Sequence, residues 1–136
     1  MLSLPFIIGH RRSPKAAPEN TLSSFRQAAR DGVTWVEFDV MLTADGHPVV
    51  FHDDALDRTS DGKGLVADVD LARLRTFAAG RWFSDAFRGE RIPLLSEVVG
   101  LLRDLELAFN MELKPAPGRE YETVTAAGDA PLPWTG

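Results

Sequence analysis

The chain has 136 residues, with 20 acidic against 15 basic side chains and a formal net charge of −5. One domain with a real hydrophobic core fits that length, and the acidic balance excludes the broad basic patch of a nucleic-acid binder. Cysteine is absent, which rules out disulfides, zinc-thiolate sites and thiol nucleophiles. No apolar stretch approaches membrane-spanning length. Arg11 and Arg12 follow the first apolar run instead of preceding it, the wrong order for a signal peptide; a cytoplasmic protein without a membrane span is expected.

The run Phe6-Ile7-Ile8-Gly9-His10 is continuous and apolar, as in a strand buried on both faces, and His10 closes it. A loop rich in Pro and small residues leads to Pro18-Glu19-Asn20-Thr21, where Asn20 or Thr21 can cap a helix. Leu22, Phe25, Ala28 and Ala29 recur at helical spacing, and Gly32 supplies the stop. A strand is predicted over Thr34–Leu42, then a turn at 44–48 and a returning strand at Val49–His52. From Asp53 to about Arg91 the pattern loosens; one modest helix is predicted at Leu71–Phe77. The run Arg81 to Arg91 reads as a solvated, mobile segment with Trp82 and Phe83 tucked beneath it. A firmer helix follows Pro93, with Leu95, Val98, Val99 and Leu102 on its buried stripe. A strand is predicted from Leu105 to Leu113 and a helix at Gly118–Ala127; the tail from Asp129 to Gly136 reads as irregular. Alternation of strands and helices is the grammar of a parallel α/β sheet.

The chemistry concentrates at the ends of these strands, where α/β folds place their active sites. In Val36-Glu37-Phe38-Asp39-Val40, side-chain alternation puts both carboxylates on one face. Their Cα atoms lie roughly 6–7 Å apart, within reach of one cation. The bland reading of the same alternation is a strand with a wet polar face; if the face is interior, two unneutralised anions are costly and a hard divalent metal resolves the cost. Glu112 adds a third carboxylate on another strand, with Lys114 on the same face. His10 and His52 each end an apolar strand: either alone reads as a hydrogen-bonded structural residue, and the two flanking a carboxylate pair read as an acid–base couple. Arg11 offers a planar fork for phosphate oxygens. The set describes metal-assisted phosphoryl transfer, with oxygen ligands suited to Mg²⁺ or Ca²⁺ rather than zinc. His47, in a Gly-Pro turn, reads as a solvated loop residue, and the dipeptide His52-Asp53 is a weak signal by itself.

Taken together, Gly9-His10-Arg11, Ala17-Pro18-Glu19-Asn20-Thr21, Val36-Glu37-Phe38-Asp39-Val40, Asp45-Gly46-His47-Pro48-Val49-Val50-Phe51-His52-Asp53, Leu56-Asp57-Arg58-Thr59 and Met111-Glu112-Leu113-Lys114-Pro115 resemble the glycerophosphodiester phosphodiesterase family. The resemblance runs from about Ile7 to Arg119. It implies a TIM-type (β/α)8 barrel that hydrolyses glycerophosphodiesters to glycerol 3-phosphate and an alcohol. It also implies one divalent cation, Mg²⁺ or Ca²⁺, on Glu37, Asp39 and Glu112, with His10 and His52 as acid–base pair and Arg11 and Lys114 on the phosphate. In the family's route the neighbouring glycerol hydroxyl attacks phosphorus, and water then opens the cyclic phosphate. The segment of about 53–92 resembles the family's small insertion that caps the active site.

Two departures stand out. Arg12 occupies a position where the family usually has Gly. A complete barrel takes about 250 residues, so the chain is expected to form only the N-terminal half or so, with open edges that favour self-association. Two other readings stand beside the first: a phospholipase D-like enzyme acting on lysolipid head groups, and an inactive truncated fragment that binds metal or a partner chain.

Overall fold

A computed structural model describes residues 8–10 and 17–128, the first three by their backbone only. Strand β2 (Trp35–Leu42) is the centre of a four-stranded sheet. Strand β1 (Ile8–His10) pairs with its N-terminal part in parallel, His10 standing opposite Glu37. Strand β4 (Ala108–Leu113) pairs with it in parallel from Trp35↔Ala108 to Val40↔Leu113. The short strand β3 (Pro48–Val50) is the exception to the parallel pattern. It returns through a tight turn and pairs antiparallel with residues 40–42.

Helix α1 (Leu22–Arg30) crosses between β1 and β2. Thr21, not Asn20, caps it: its hydroxyl accepts from Ser24 N–H at 3.2 Å and donates to the Pro18 carbonyl at 2.7 Å. The helix stops where expected, with Gly32 at φ +83° and Val33 N–H returning to the Ala28 carbonyl. Helix α3 (Leu95–Asp104) leads into β4, and α4 (Glu120–Gly128) follows it. The predicted strand at Leu105 begins three residues late. Leu105 closes the helix and Glu106 takes a left-handed φ of +57° before the chain can extend.

Val36, Phe38 and Val40 form the apolar face of β2 and are buried against Phe25 and Ala28 of α1, the α3 stripe and Ala127 of α4. Phe38 meets Phe25 edge-on at 5.9 Å and Phe109 at 5.4 Å between ring centroids. Phe38→Ala is therefore expected to cost about 3–5 kcal/mol, read by urea unfolding; a loss below 1 kcal/mol would mean that this face is not the core.

The segment 53–92 builds a second, smaller core. Leu56, Val66, Leu74, Ala79 and Ile92 pack on Met41, Val49 and Phe51, so this segment, called the cap below, is packed against β2 and β3. Its regular structure is slight: helix α2 (Leu71–Leu74) and 3-10 turns at Val66–Asp68 and Asp85–Phe87. Helix α2 is shorter than predicted, and the Phe77 ring lies where a Cβ on Gly62 would come within 2.6 Å of it. Trp82 is not tucked under the Arg81–Arg91 run. It is 42% exposed, its indole N–H donating to the Ala79 carbonyl and its ring edge-on to Phe83.

The cap is tied to helix α3 by Arg75, which forks onto Glu97 at 2.6 and 3.2 Å. Burial pushes the Glu97 carboxyl up, but Arg75 and the Leu94 N–H outweigh it, and it titrates below its usual range. A depressed carboxylate contributes stability above its unfolded pKa and loses it as pH falls through the folded value. Arg75→Met should thus lower stability at neutral pH and weaken the acid dependence below about pH 4.5. Acid unfolding followed by circular dichroism checks this, and an acid limb identical to wild type would refute it. Among the described residues no helix is long and apolar enough to cross a membrane.

Candidate active site

The carboxylate face of β2 and the adjoining face of β4 meet at the C-terminal end of the sheet. Parallel register sets Asp39 beside Glu112 and Glu37 beside Asn110. These four, with Phe38 and Met111, line a cavity of about 150 Å³. Asp39 is buried while Glu112 is exposed, because nothing covers that face of β4 among the described residues. Burial raises the Asp39 carboxyl above its ordinary range, and the Glu112 carboxyl adds to this; Lys114 and His52 oppose it.

Lys114 stands at the end of β4 with Nζ 4.0 Å from Asp39 Oδ1, and it donates to the His52 backbone carbonyl at 3.2 Å. One ammonium thus links the acidic pair to the strand end that carries His52. Beside Lys114 a second cavity of about 170 Å³ opens between Leu65 and Ala67 of the cap and the Pro115–Pro117 loop. His47 is a half-exposed turn residue 3.7 Å from Asp45, as its sequence context implied. His10 enters only by the register of its backbone beside Glu37. Arg11, Arg12 and the tail from Asp129 lie outside the described residues.

The donor set suits a hard divalent cation in type, all carboxylate oxygen. Asp39 Oδ2 is buried with no hydrogen-bond partner among the described residues, the kind of orphaned acceptor that such an ion satisfies. As placed, however, no three His, Asp or Glu side chains among the described residues stand close enough to close a shell around one ion. Asp39 and Glu112 are the adjacent pair, and Glu37 lies one pleat away on the same cavity wall.

Behind His52 and Asp53 lie Arg58 and Glu19, to which the sequence reading gave no role. Arg58 forks onto Asp53 at 2.8 and 2.9 Å and onto Glu19 at 2.9 and 3.1 Å. Asp53 in turn meets His52 Nδ1 at 2.8 Å. Arg58 holds the Asp53 carboxyl far below the usual carboxylate range; partial burial opposes this and His52 adds to it. The available signal was the motif Leu56-Asp57-Arg58-Thr59, whose arginine had no assigned purpose in a loop. Asn20, the other candidate cap, is buried at φ +57°, and among the described residues both its amide atoms lack a hydrogen-bond partner.

Parallel strands crossed by helices, with Asp39, Glu112, Lys114 and the His52 strand end gathered at one end of the sheet, define an α/β protein. Comparison with known proteins sharpens this. The family model described as glycerophosphoryl diester phosphodiesterase family matches residues 10–130, and the chain belongs to that family. A glycerophosphodiester phosphodiesterase of Caldanaerobacter subterraneus is 42% identical over 124 residues, 88% of this chain and 51% of the relative. The structure of an Oleispira antarctica phosphodiesterase in complex with the product sn-glycerol-3-phosphate superposes with a TM-score of 0.91 at 46% identity. That match covers 93% of this chain and 51% of the other. An Agrobacterium tumefaciens glycerophosphodiester phosphodiesterase gives 0.79 at 34%, covering 92% and 54%. The chain thus spans about half the length of these relatives.

Proposed function

We propose that the chain supplies the N-terminal half of a (β/α)8 barrel that hydrolyses glycerophosphodiesters to glycerol 3-phosphate and an alcohol. The observation that carries this reading is the row Asp39–Glu112 with an orphaned buried oxygen, held next to Lys114 and the His52 strand end. Glu37, Asp39 and Glu112 would hold one Mg²⁺ or Ca²⁺, which when bound polarises a phosphoryl oxygen and draws off its charge. Lys114 and Arg11 bind the non-bridging phosphate oxygens, Arg11 through its planar fork and Lys114 as a mobile point charge. One of His10 and His52 takes the proton from the glycerol hydroxyl that attacks phosphorus; the other gives a proton to the departing alkoxide. With the roles reversed, the same two imidazoles deliver water to the cyclic phosphate. The cavity beside Lys114 leaves room for the alcohol half of the diester, under the cap. The structure of a similar phosphodiesterase in complex with the product sn-glycerol-3-phosphate supports the product class.

The test is glycerol 3-phosphate release from glycerophosphocholine with Mg²⁺ or Ca²⁺, comparing wild type with His52→Ala in a chain completed by the second half of a relative's barrel. His52→Ala should lower kcat by about 10²–10⁴-fold with cation affinity retained. Equal turnover per folded molecule would make His52 structural and the mechanism wrong.

A further inference from the structure

We infer that Arg58 is a positioning residue: through Asp53 it fixes the tautomer and ring orientation of His52, and Glu19 anchors it from the β1–α1 loop. The inference rests on the reading of His52 as an acid–base group. Imidazole does its work at one nitrogen only when the other is committed. Here Nδ1 lies 2.8 Å from Asp53 Oδ1. An ionised Asp53 only accepts, so Nδ1 carries the proton and donates it, and Nε2 keeps its lone pair. The ionised state is secured by Arg58, whose guanidinium spends its Nε and Nη2 hydrogens on Asp53 and its Nη1 and remaining Nη2 hydrogens on Glu19.

Two forks on one rigid plane hold Asp53 in place, where a lone Asp53 side chain could rotate away from the ring. Glu19 is mostly buried, with 11% of its side chain exposed, so the far end of the bridge is set in the body of the protein. The bridge spans 39 residues, joining the loop before α1 to the first turn of the cap. When His52 accepts a proton at Nε2, the Asp53 carboxylate also stabilises the imidazolium, while Arg58 keeps the resting charge of the pair balanced. Lysine at position 58 would keep the charge and lose the double fork.

The test reads the ring directly. Nitrogen NMR of imidazole-labelled chain, with His52→Gln to assign the signal, reports the tautomer near neutral pH. Wild type should show one tautomer, protonated at Nδ1. In Arg58→Gln and Arg58→Lys the two ring-nitrogen signals should move toward each other as the tautomers interchange. Glu19→Gln should move them less in the same direction, and it carries the test by itself should both position-58 variants fail to fold. Unchanged signals in folded variants would overturn the inference, as would a wild type protonated at Nε2. Kinetics separate this from the catalytic reading: equal turnover of wild type and His52→Ala refutes that reading alone, whereas the tautomer shift judges Arg58. With both correct, Arg58→Gln should lower kcat at least tenfold and have no further effect in a His52→Ala background.

Discussion

Asp39→Ala should abolish divalent-cation binding, with affinity for Mg²⁺ and Ca²⁺ falling roughly 100-fold or more, beyond what loss of a mere supporting contact costs. Asp39 is the buried member of the three acids, and among the described residues its Oδ2 has no hydrogen-bond partner. The same variant should not lower the thermal stability of the metal-free chain. A buried carboxylate beside Glu112, only partly compensated by Lys114 at 4.0 Å and by His52, is an expense to the fold that alanine removes. Calorimetry with each cation and thermal unfolding on the same preparation read both halves of the expectation. Equal cation affinity in wild type and Asp39→Ala would show that the ion binds elsewhere or not at all. A large drop in apo stability would make Asp39 a structural acceptor instead.

The parts of this molecule legible in its sequence are those determined by near neighbours. Helix α1 is announced by a cap at Thr21, a helical stripe and Gly32, all within a dozen positions. Alternation in Val36–Val40 placed Glu37 and Asp39 on one face and the apolar residues on the other, as the burial of Val36, Phe38 and Val40 bears out. The shared face of Asp39 and Glu112 could be foreseen only because two parallel strands were already in hand; their exact register, Asp39 against Glu112, is a property of pairing across 73 residues. The packing inside the 53–92 segment, whose outline the family resemblance gave, was illegible for the same reason. Leu56, Val66, Leu74 and Ile92 share a core but follow no helical or strand period, so their common burial is a tertiary fact with no local mark. Arg58 illustrates the limit most sharply: its two partners lie five residues on one side and 39 on the same side in sequence. Only the fold shows that a loop arginine serves both.

The chain by itself is expected to self-associate and to turn over glycerophosphocholine at least about 100-fold more slowly than a completed barrel. The sheet is open: among the described residues β4 pairs only with β2, and its inward-facing Ala108, Asn110 and Glu112 are exposed. On α4, Tyr121 is 86% exposed and Val124 58%, an apolar surface beside a free strand edge, which invites pairing with another copy. The consequence for chemistry is geometric. Asp39 is enclosed, but Glu112 hangs on the uncovered edge and among the described residues no three acids close on a point, and a displacement near 1 Å can cost about a hundredfold in rate. Joining residues 1–128 to the part of the Oleispira antarctica phosphodiesterase that lies outside the 51% this chain matches at a TM-score of 0.91 should cover β4, bring Glu112 toward Asp39 and restore both a monodisperse species and turnover. Light scattering and glycerol 3-phosphate release, measured on the chain and on the chimera together, decide it. A monodisperse chain with the chimera's turnover would show that three parallel strands and the cap already hold the site, and that the rest of the barrel contributes nothing to the placement of Glu112.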